Sequence, residues 1–266
     1  MSAHVLRPAT PILAELAARQ PLLARAGWAM LWLLLACLVA MAFDPRSVNG
    51  VSVWVKPAKF AASFVAWFWT LAWAWGVLAP AVRDGWAARA VLWGTLGAGL
   101  FEQGWITLRA LLGQPSHFAT DPLGGVMYGL MGLAAVLLVA LAALLGALVL
   151  RHGDLARPRA WRHAVGLGLI VGGAIGGFTG ASISAHQTPH VGGVLSDAAN
   201  FPPFFWSRDG GDLRVAHFLG IHAMQALPAI ALLGAGTGMV WLGAAGWTAL
   251  SLGAYALALA GVPVSP

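Results

Sequence analysis

Charge is scarce in this chain. Lys and Arg number 15 and Asp and Glu 9 among 266 residues, 9% in all, where an ordinary soluble domain carries about 25%. Hydrophobic residues make up 59% and the mean hydropathy is +0.78. A soluble fold of this length cannot hide that much apolar surface and still present a polar skin to water. A soluble enzyme, a secreted disulfide scaffold, a coiled coil and a disordered tail are all excluded. Cysteine is limited to Cys37, so no internal disulfide can form. No Lys/Arg block and no nucleic-acid motif occurs, so a pI near 10.7 does not signal nucleic acid. The last apolar run, 239–262, lacks Asp, Glu, His and Lys, which excludes a retinal Schiff base of the usual kind.

What is present reads as an all-α polytopic membrane protein, a single domain over 1–266 with the lipid bilayer as its first partner. A bilayer core needs about 20 apolar residues per helix. Seven stretches qualify, at about 26–43, 58–79, 87–112, 123–150, 160–182, 213–235 and 239–262. Residues 1–25 precede them as a cytoplasmic or interfacial tail, with no small-residue cleavage site after the first run. Within that tail Ile12, Leu13 and Leu16 admit a short surface helix, and a disordered tail is the other reading. Local residues set the boundaries: Pro57 suits a first helical turn, and Asp121-Pro122 reads as an N-cap followed by Pro at N1. Gly210-Gly211-Asp212 starts the sixth span in a similar way. Basic residues divide nine against six between the two sides, which predicts the N-terminus inside and the C-terminus outside. The expected location is a bacterial inner membrane.

Ionisable side chains gather toward the outer side. His117, His186, His190, His217 and His222 are expected there, as are the long connections at about 44–57 and 183–212. Loops of that length usually carry function or disorder. In the sixth span, Arg214, His217, His222 and Gln225 fall within an arc of about 140° at 100° per residue. Lipid offers such a face no partner, so it is expected to point into the bundle. In the third span, Thr95, Glu102 and Arg109 stand seven apart on one stripe, with Glu102 roughly 15 Å below the outer end. An ionised carboxylate at that depth must be protonated, paired or bound to a cation, and His222 or Gln225 is the expected partner. Lys56, Lys59, Ser63 and Thr70 form a stripe on the second span. His186 and His190 have the spacing of two ligands on one helical face, provided the fifth span runs that far past Pro189. Each histidine alone could be a solvated or structural residue. Lys56 and Lys59 could be snorkelling anchors, and the run Gly172-Gly173-Ala174-Ile175-Gly176-Gly177 is most simply a close-packing helix surface.

Three chemistries fit that convergence. The first is a b-type haem or related redox centre of a membrane oxidoreductase or electron carrier. Here His117, His190, His217 and His222 are the candidate metal ligands, and Arg109, Arg214 and Lys59 hold propionates or a quinone head. Glu102 relays protons, with Gln225 beside it. The second is a zinc or other transition-metal hydrolase with Glu102 as base. The seven-helix count resembles the adiponectin-receptor and alkaline-ceramidase group, but that group's histidine pair lies on its last helix, which has no His here. The third is a proton-coupled small-molecule transporter or sensor built on His217, His222 and Glu102.

The stretch Gly211-Asp212-Leu213-Arg214-Val215-Ala216-His217-Phe218, with His222 and Gln225 after it and Trp206-Ser207 before it, resembles a signature of bacterial seven-helix integral membrane proteins. Ser116-His117-Phe118 and His190-x-Gly192 resemble further parts of it. The resemblance implies a fold and a shared site and carries no activity.

Overall fold

The structure is a computed structural model that describes residues 12–119, 121–194, 200 and 202–264. Among them run eight α-helices: α1 (Ile12–Arg19), α2 (Pro21–Phe43), α3 (Val55–Trp75), α4 (Trp86–Leu111), α5 (Pro122–His152), α6 (Arg159–His186), α7 (Leu213–Leu232) and α8 (Thr237–Leu259). A hairpin of β1 (Ser47–Val48) and β2 (Val51–Ser52) follows α2. β3 (His190–Val191) and β4 (Gly211–Asp212) pair antiparallel just before α7, with His190 opposite Asp212.

Helices α2 to α8 coincide with the seven expected stretches. Five of them, α2, α5, α6, α7 and α8, are long and apolar enough to cross a membrane. α3 and α4 are 21 and 26 residues long but less aliphatic. α3 owes much of its apolar surface to Trp67, Trp69, Trp73 and Trp75, and α4 carries Arg89, Glu102 and Arg109. The boundaries have the expected causes. Asp121 caps α5 by accepting from Gly124 N at 2.8 Å, with Pro122 at N1. Asp212 caps α7 through Arg214 N at 2.9 Å. α2 begins earlier than expected, because Gln20 caps it and Pro21 fills the first position.

Two expectations about local structure are settled. The segment Ile12–Arg19 is helical, and Leu16 is 5% exposed within the main core, so this helix docks on the bundle. Arg19 fixes it there by donating to the Trp73 carbonyl at 2.8 Å and lying over the Trp73 ring. At the other end, α6 stops at His186, with Gln187 in the left-handed region. His186 and His190 therefore do not share a helical face, as Pro189 foreshadowed.

Glycine sets the tightest contacts. A Cβ on Gly168 would stand 2.8 Å from the Ala223 carbonyl oxygen, and one on Gly173 would stand 2.6 Å from that of Val139. α6 is therefore held backbone to backbone between α5 and α7. α3 and α4 meet this slab through side chains, with Phe64, Phe68, Leu71 and Leu145 in the core between them. That looser seam contains the polar groups.

Candidate functional site

Along α3, Lys56, Ser63, Trp67 and Thr70 fall within about 60° of one another, with Lys59 at the edge of the arc. Two hydrogen bonds leave this side of α3. Lys59 Nζ donates to the Phe204 carbonyl at 2.7 Å. Lower down, Gln225 Nε2 of α7 donates to Thr70 Oγ1 at 2.8 Å. The two anchors are separated by roughly 16 Å of helical rise. Ser63 and Ala66 lie between them and are exposed, so α3 is tied to the α7 side at two levels.

The segment before α7 forms the roof. Asp212 is 1% exposed and accepts from Ser207 N at 2.8 Å and from Arg214 Nε at 2.9 Å. Arg214 also donates to the Phe205 carbonyl at 2.6 Å. Arg214 thus clamps the loop. Phe204 stacks on Trp206 at 4.6 Å, both rings meet Phe218 edge-on at 5.2 and 5.5 Å, and Phe218 stacks on His222 at 3.9 Å. An aromatic column therefore runs from the roof down to His222.

Hydrogen bonding assigns both α7 imidazoles. His222 Nδ1 lies 2.8 Å from the Phe218 carbonyl. A carbonyl only accepts, so Nδ1 carries the proton and Nε2 keeps its lone pair. His217 Nδ1 lies 3.1 Å from Thr179 Oγ1, whose own hydrogen goes to the Ile175 carbonyl at 2.7 Å. The same tautomer follows. The two residues stand about 140° apart around the helix. His217 packs against Thr179 and Gly180 of α6, whereas His222 lies under Phe218, so they do not converge on one ion.

On α4 the expected stripe is buried: Thr95 is 0% exposed, Glu102 4% and Arg109 4%. Glu102 lies about 13 Å inside the end of α4, and His222 is as deep inside α7. Lys56 supplies the positive charge that bears on Glu102. His222 and Gln225, the expected partners of Glu102, are bonded instead to Phe218 and Thr70. Glu102 Oε1, Thr95 Oγ1, Trp67 Nε1 and Gln225 Oε1 are all buried and bond no described residue.

The remaining candidates sit around this seam. His117 packs against Phe60 and Tyr128 at 5.8 and 5.7 Å; burial, with Lys56 adding to it, holds its pKa well below the ordinary histidine value. Tyr128 in turn bonds Ser184 of α6 at 3.0 Å. His190 is 8% exposed and stands opposite Asp212 in the β3–β4 pair. Arg109 donates to Asp121 Oδ2 at 2.7 Å and to the Pro115 carbonyl at 2.9 Å. The Asp121 carboxyl is held below its ordinary value by Arg109 first and by the Gly124 N–H second. The three basic anchors proposed for a cofactor, Arg109, Arg214 and Lys59, therefore all brace connections at this end of the bundle.

Lys56 bears on Glu102 and Gln225 reaches Thr70 of α3, whereas His222 packs on Phe218 and His117, His190 and His217 have other neighbours. Among the described residues, no three of His, Cys, Asp and Glu lie together as a metal-holding group. Sequence reasoning quoted Trp206 and Phe218 but missed Phe204 and the stacking that joins the three rings, because Phe204 and Trp206 lie in a loop where periodicity carries no signal. It also missed Gln103, for which a signal existed, since it is an amide in an apolar helix beside Glu102. Comparison with protein-family profiles, curated proteins and solved structures finds no significant match.

Proposed function

We propose that this chain is a seven-span protein of a bacterial inner membrane, N-terminus inside and C-terminus outside, whose outer half binds a small polar solute and exchanges a proton at Glu102. The apolar character of five helices supports the bilayer. α3 and α4 complete the count: both are long enough to span, and Thr95, Glu102, Gln103 and Arg109 of α4 are buried, as polar residues of an embedded helix should be.

One observation carries the site: four buried polar atoms on three helices have no partner among the described residues. Left dry, each costs about 1–3 kcal/mol, which together approaches the whole stability of a typical domain, about 5–15 kcal/mol. Water or solute therefore occupies the seam. The lining offers the Trp67 N–H as a donor, Gln225 Oε1 and the His222 lone pair as acceptors, and Thr95 as either. Glu102 accepts when ionised and donates when protonated. A solute bearing both donors and acceptors matches that set, and its arrival or departure changes the balance at Glu102. Phe204 and Trp206 close the top.

Infrared difference spectroscopy of the protein in vesicles, stepped between acidic and neutral buffer, tests this reading. The expected result is a carboxyl band that shifts in heavy water, responds to an added polyol or alkylamine, and vanishes in Glu102→Gln. A spectrum unchanged by Glu102→Gln would overturn the assignment.

A second reading, a haem or transition-metal centre with a quinone partner, draws support from the two α7 imidazoles. An Nδ1 proton held by the protein with Nε2 presented is how ligating histidines are oriented. Because the rings diverge, His222 alone would serve the seam. Colour or stoichiometric metal that is lost in His222→Ala and kept in His152→Ala would support this reading. Colourless, metal-free protein would refute it.

A further inference from the structure

At the end of the bundle opposite the roof over α7, four of the chain's 15 basic residues fall in one short stretch. Arg151 lies in the last turn of α5, Arg157 in the connection, and Arg159 and Arg162 in the first turn of α6. The connection is pinned to the end of α3: Ala79 N donates to the His152 carbonyl at 2.9 Å, and Asp154 N donates to the Val77 carbonyl at 2.8 Å. Arg162 crosses Gly153 so closely that a Cβ there would stand 2.9 Å from its Cδ. Asp154 is the single acid of the stretch, and its carboxylate turns back to accept from Ala156 N at 3.0 Å.

Elsewhere arginines are engaged by the fold. Arg46, Arg109 and Arg214 hold aspartates, Arg19 holds Glu15, and Arg83 donates to the Leu78 carbonyl at 3.1 Å. Arg151, Arg157, Arg159 and Arg162 bond no described residue. The first three are exposed. In Arg162 the buried nitrogen is Nε, and the two terminal nitrogens stay accessible. The charges of Arg159 and Arg162 both bear on His163, which sets the three side chains side by side. His163 Nδ1 accepts from Trp241 Nε1 at 3.1 Å, so in the neutral ring Nε2 carries the proton and is one more donor. Like charges are thus fixed close together with no counter-charge from the fold.

Position says what supplies it. α6 has 28 residues, roughly 42 Å of rise, which matches a bilayer with its headgroups, about 40–45 Å. Its first turn therefore stands at the level of lipid phosphates. Trp241 beside it is 50% exposed, at the depth that tryptophan favours. We propose that the α5–α6 junction binds the headgroup of an anionic phospholipid. The guanidiniums of Arg157, Arg159 and Arg162 donate to phosphate oxygens, and the acyl chains run down past Trp241. Guanidinium forks match phosphate geometry, and the start of α6, which no side chain caps, adds its own positive end. A zwitterionic phospholipid brings an ammonium group to the same arginines and is disfavoured. The inference rests on the bilayer placement of the helices and on nothing at Glu102.

Native mass spectrometry of the full chain, titrated in detergent with phosphatidylglycerol or with phosphatidylcholine of the same acyl chains, tests it. Each arginine near a lipid surface is worth about fivefold in affinity, so phosphatidylglycerol is expected to bind about twentyfold tighter. Arg157→Gln/Arg159→Gln removes two exposed, unbonded side chains and so spares the fold; it is expected to erase that preference. Arg25→Gln, an exposed arginine at the same end of the bundle on α2, should change it by no more than about twofold. Glycerol 3-phosphate at the lipid's concentration should not displace the lipid. Equal affinity for the two lipids would overturn the proposal. So would an Arg25→Gln loss as large as that of the double variant, which would report the charge of the whole rim. Displacement by glycerol 3-phosphate would also overturn it, by showing a site for a soluble anion.

Discussion

Thr95→Val keeps the shape of its side chain and removes one hydroxyl. Thr95 is 0% exposed, and its Oγ1 bonds no described residue. In a dry interior that hydroxyl would carry an unmet cost of about 1–3 kcal/mol, and valine would relieve it. In a seam that holds water or solute, the hydroxyl makes a bond worth about 0.5–1.5 kcal/mol, and valine loses it. The sign of the change thus separates the two states. Thr95→Val is expected to leave stability unchanged or lower it by up to about 1 kcal/mol. Thr179→Val is the reference, because that hydroxyl is bonded to Ile175 and His217, and its loss should cost about 1–2 kcal/mol. Denaturant titration in micelles measures both. A gain of about 1–3 kcal/mol in Thr95→Val would show a dry interior and refute the chamber.

Three further outcomes follow from the geometry. Gly168→Ala places a methyl 2.8 Å from the Ala223 carbonyl and 3.1 Å from Met224 Cα, so α6 and α7 must part at a cost of about 1–3 kcal/mol. Gly97→Ala, which meets nothing within 4 Å, should be neutral in the same denaturant titrations. The Asp121 pKa is lowered from 3.8 in the folded chain, so its contribution is present above pH 3.8 and is lost as pH falls through the folded value. The stability gap between the wild type and Asp121→Asn should therefore be constant at neutral pH and close in acid. A gap that persists in acid would mean that the cap, rather than the charge, carries the effect.

The helices were legible because hydrocarbon imposes length and composition on every span. The caps at Asp121 and Asp212 were legible because Asp before Pro, or after a glycine pair, has few other uses. The site was legible in part. Period alone placed Thr95, Glu102 and Arg109 on one inward face. Which groups meet was beyond it. Arg214 and Asp212 are two residues apart yet form the clamp of a loop that begins well upstream, and Lys59 reaches the carbonyl of Phe204. Such contacts depend on how long connections fold back, which periodicity does not encode. The histidines dispersed for the same reason: His117 and His190 belong to loops with their own partners, and the fixed pitch of α7 turns His217 away from His222.

The central claim is that water reaches the interior seam from the outer side. Its most direct test is thiol labelling, which is simple here because Cys37 is the chain's single cysteine and is buried. In a Cys37→Ala background, His222→Cys and Gln225→Cys should react with a membrane-impermeant thiol reagent added outside intact cells. Met224→Cys, packed at 2% exposure against α6, should not. If His222→Cys and Gln225→Cys are as inert as Met224→Cys, the seam is closed to water and the account fails.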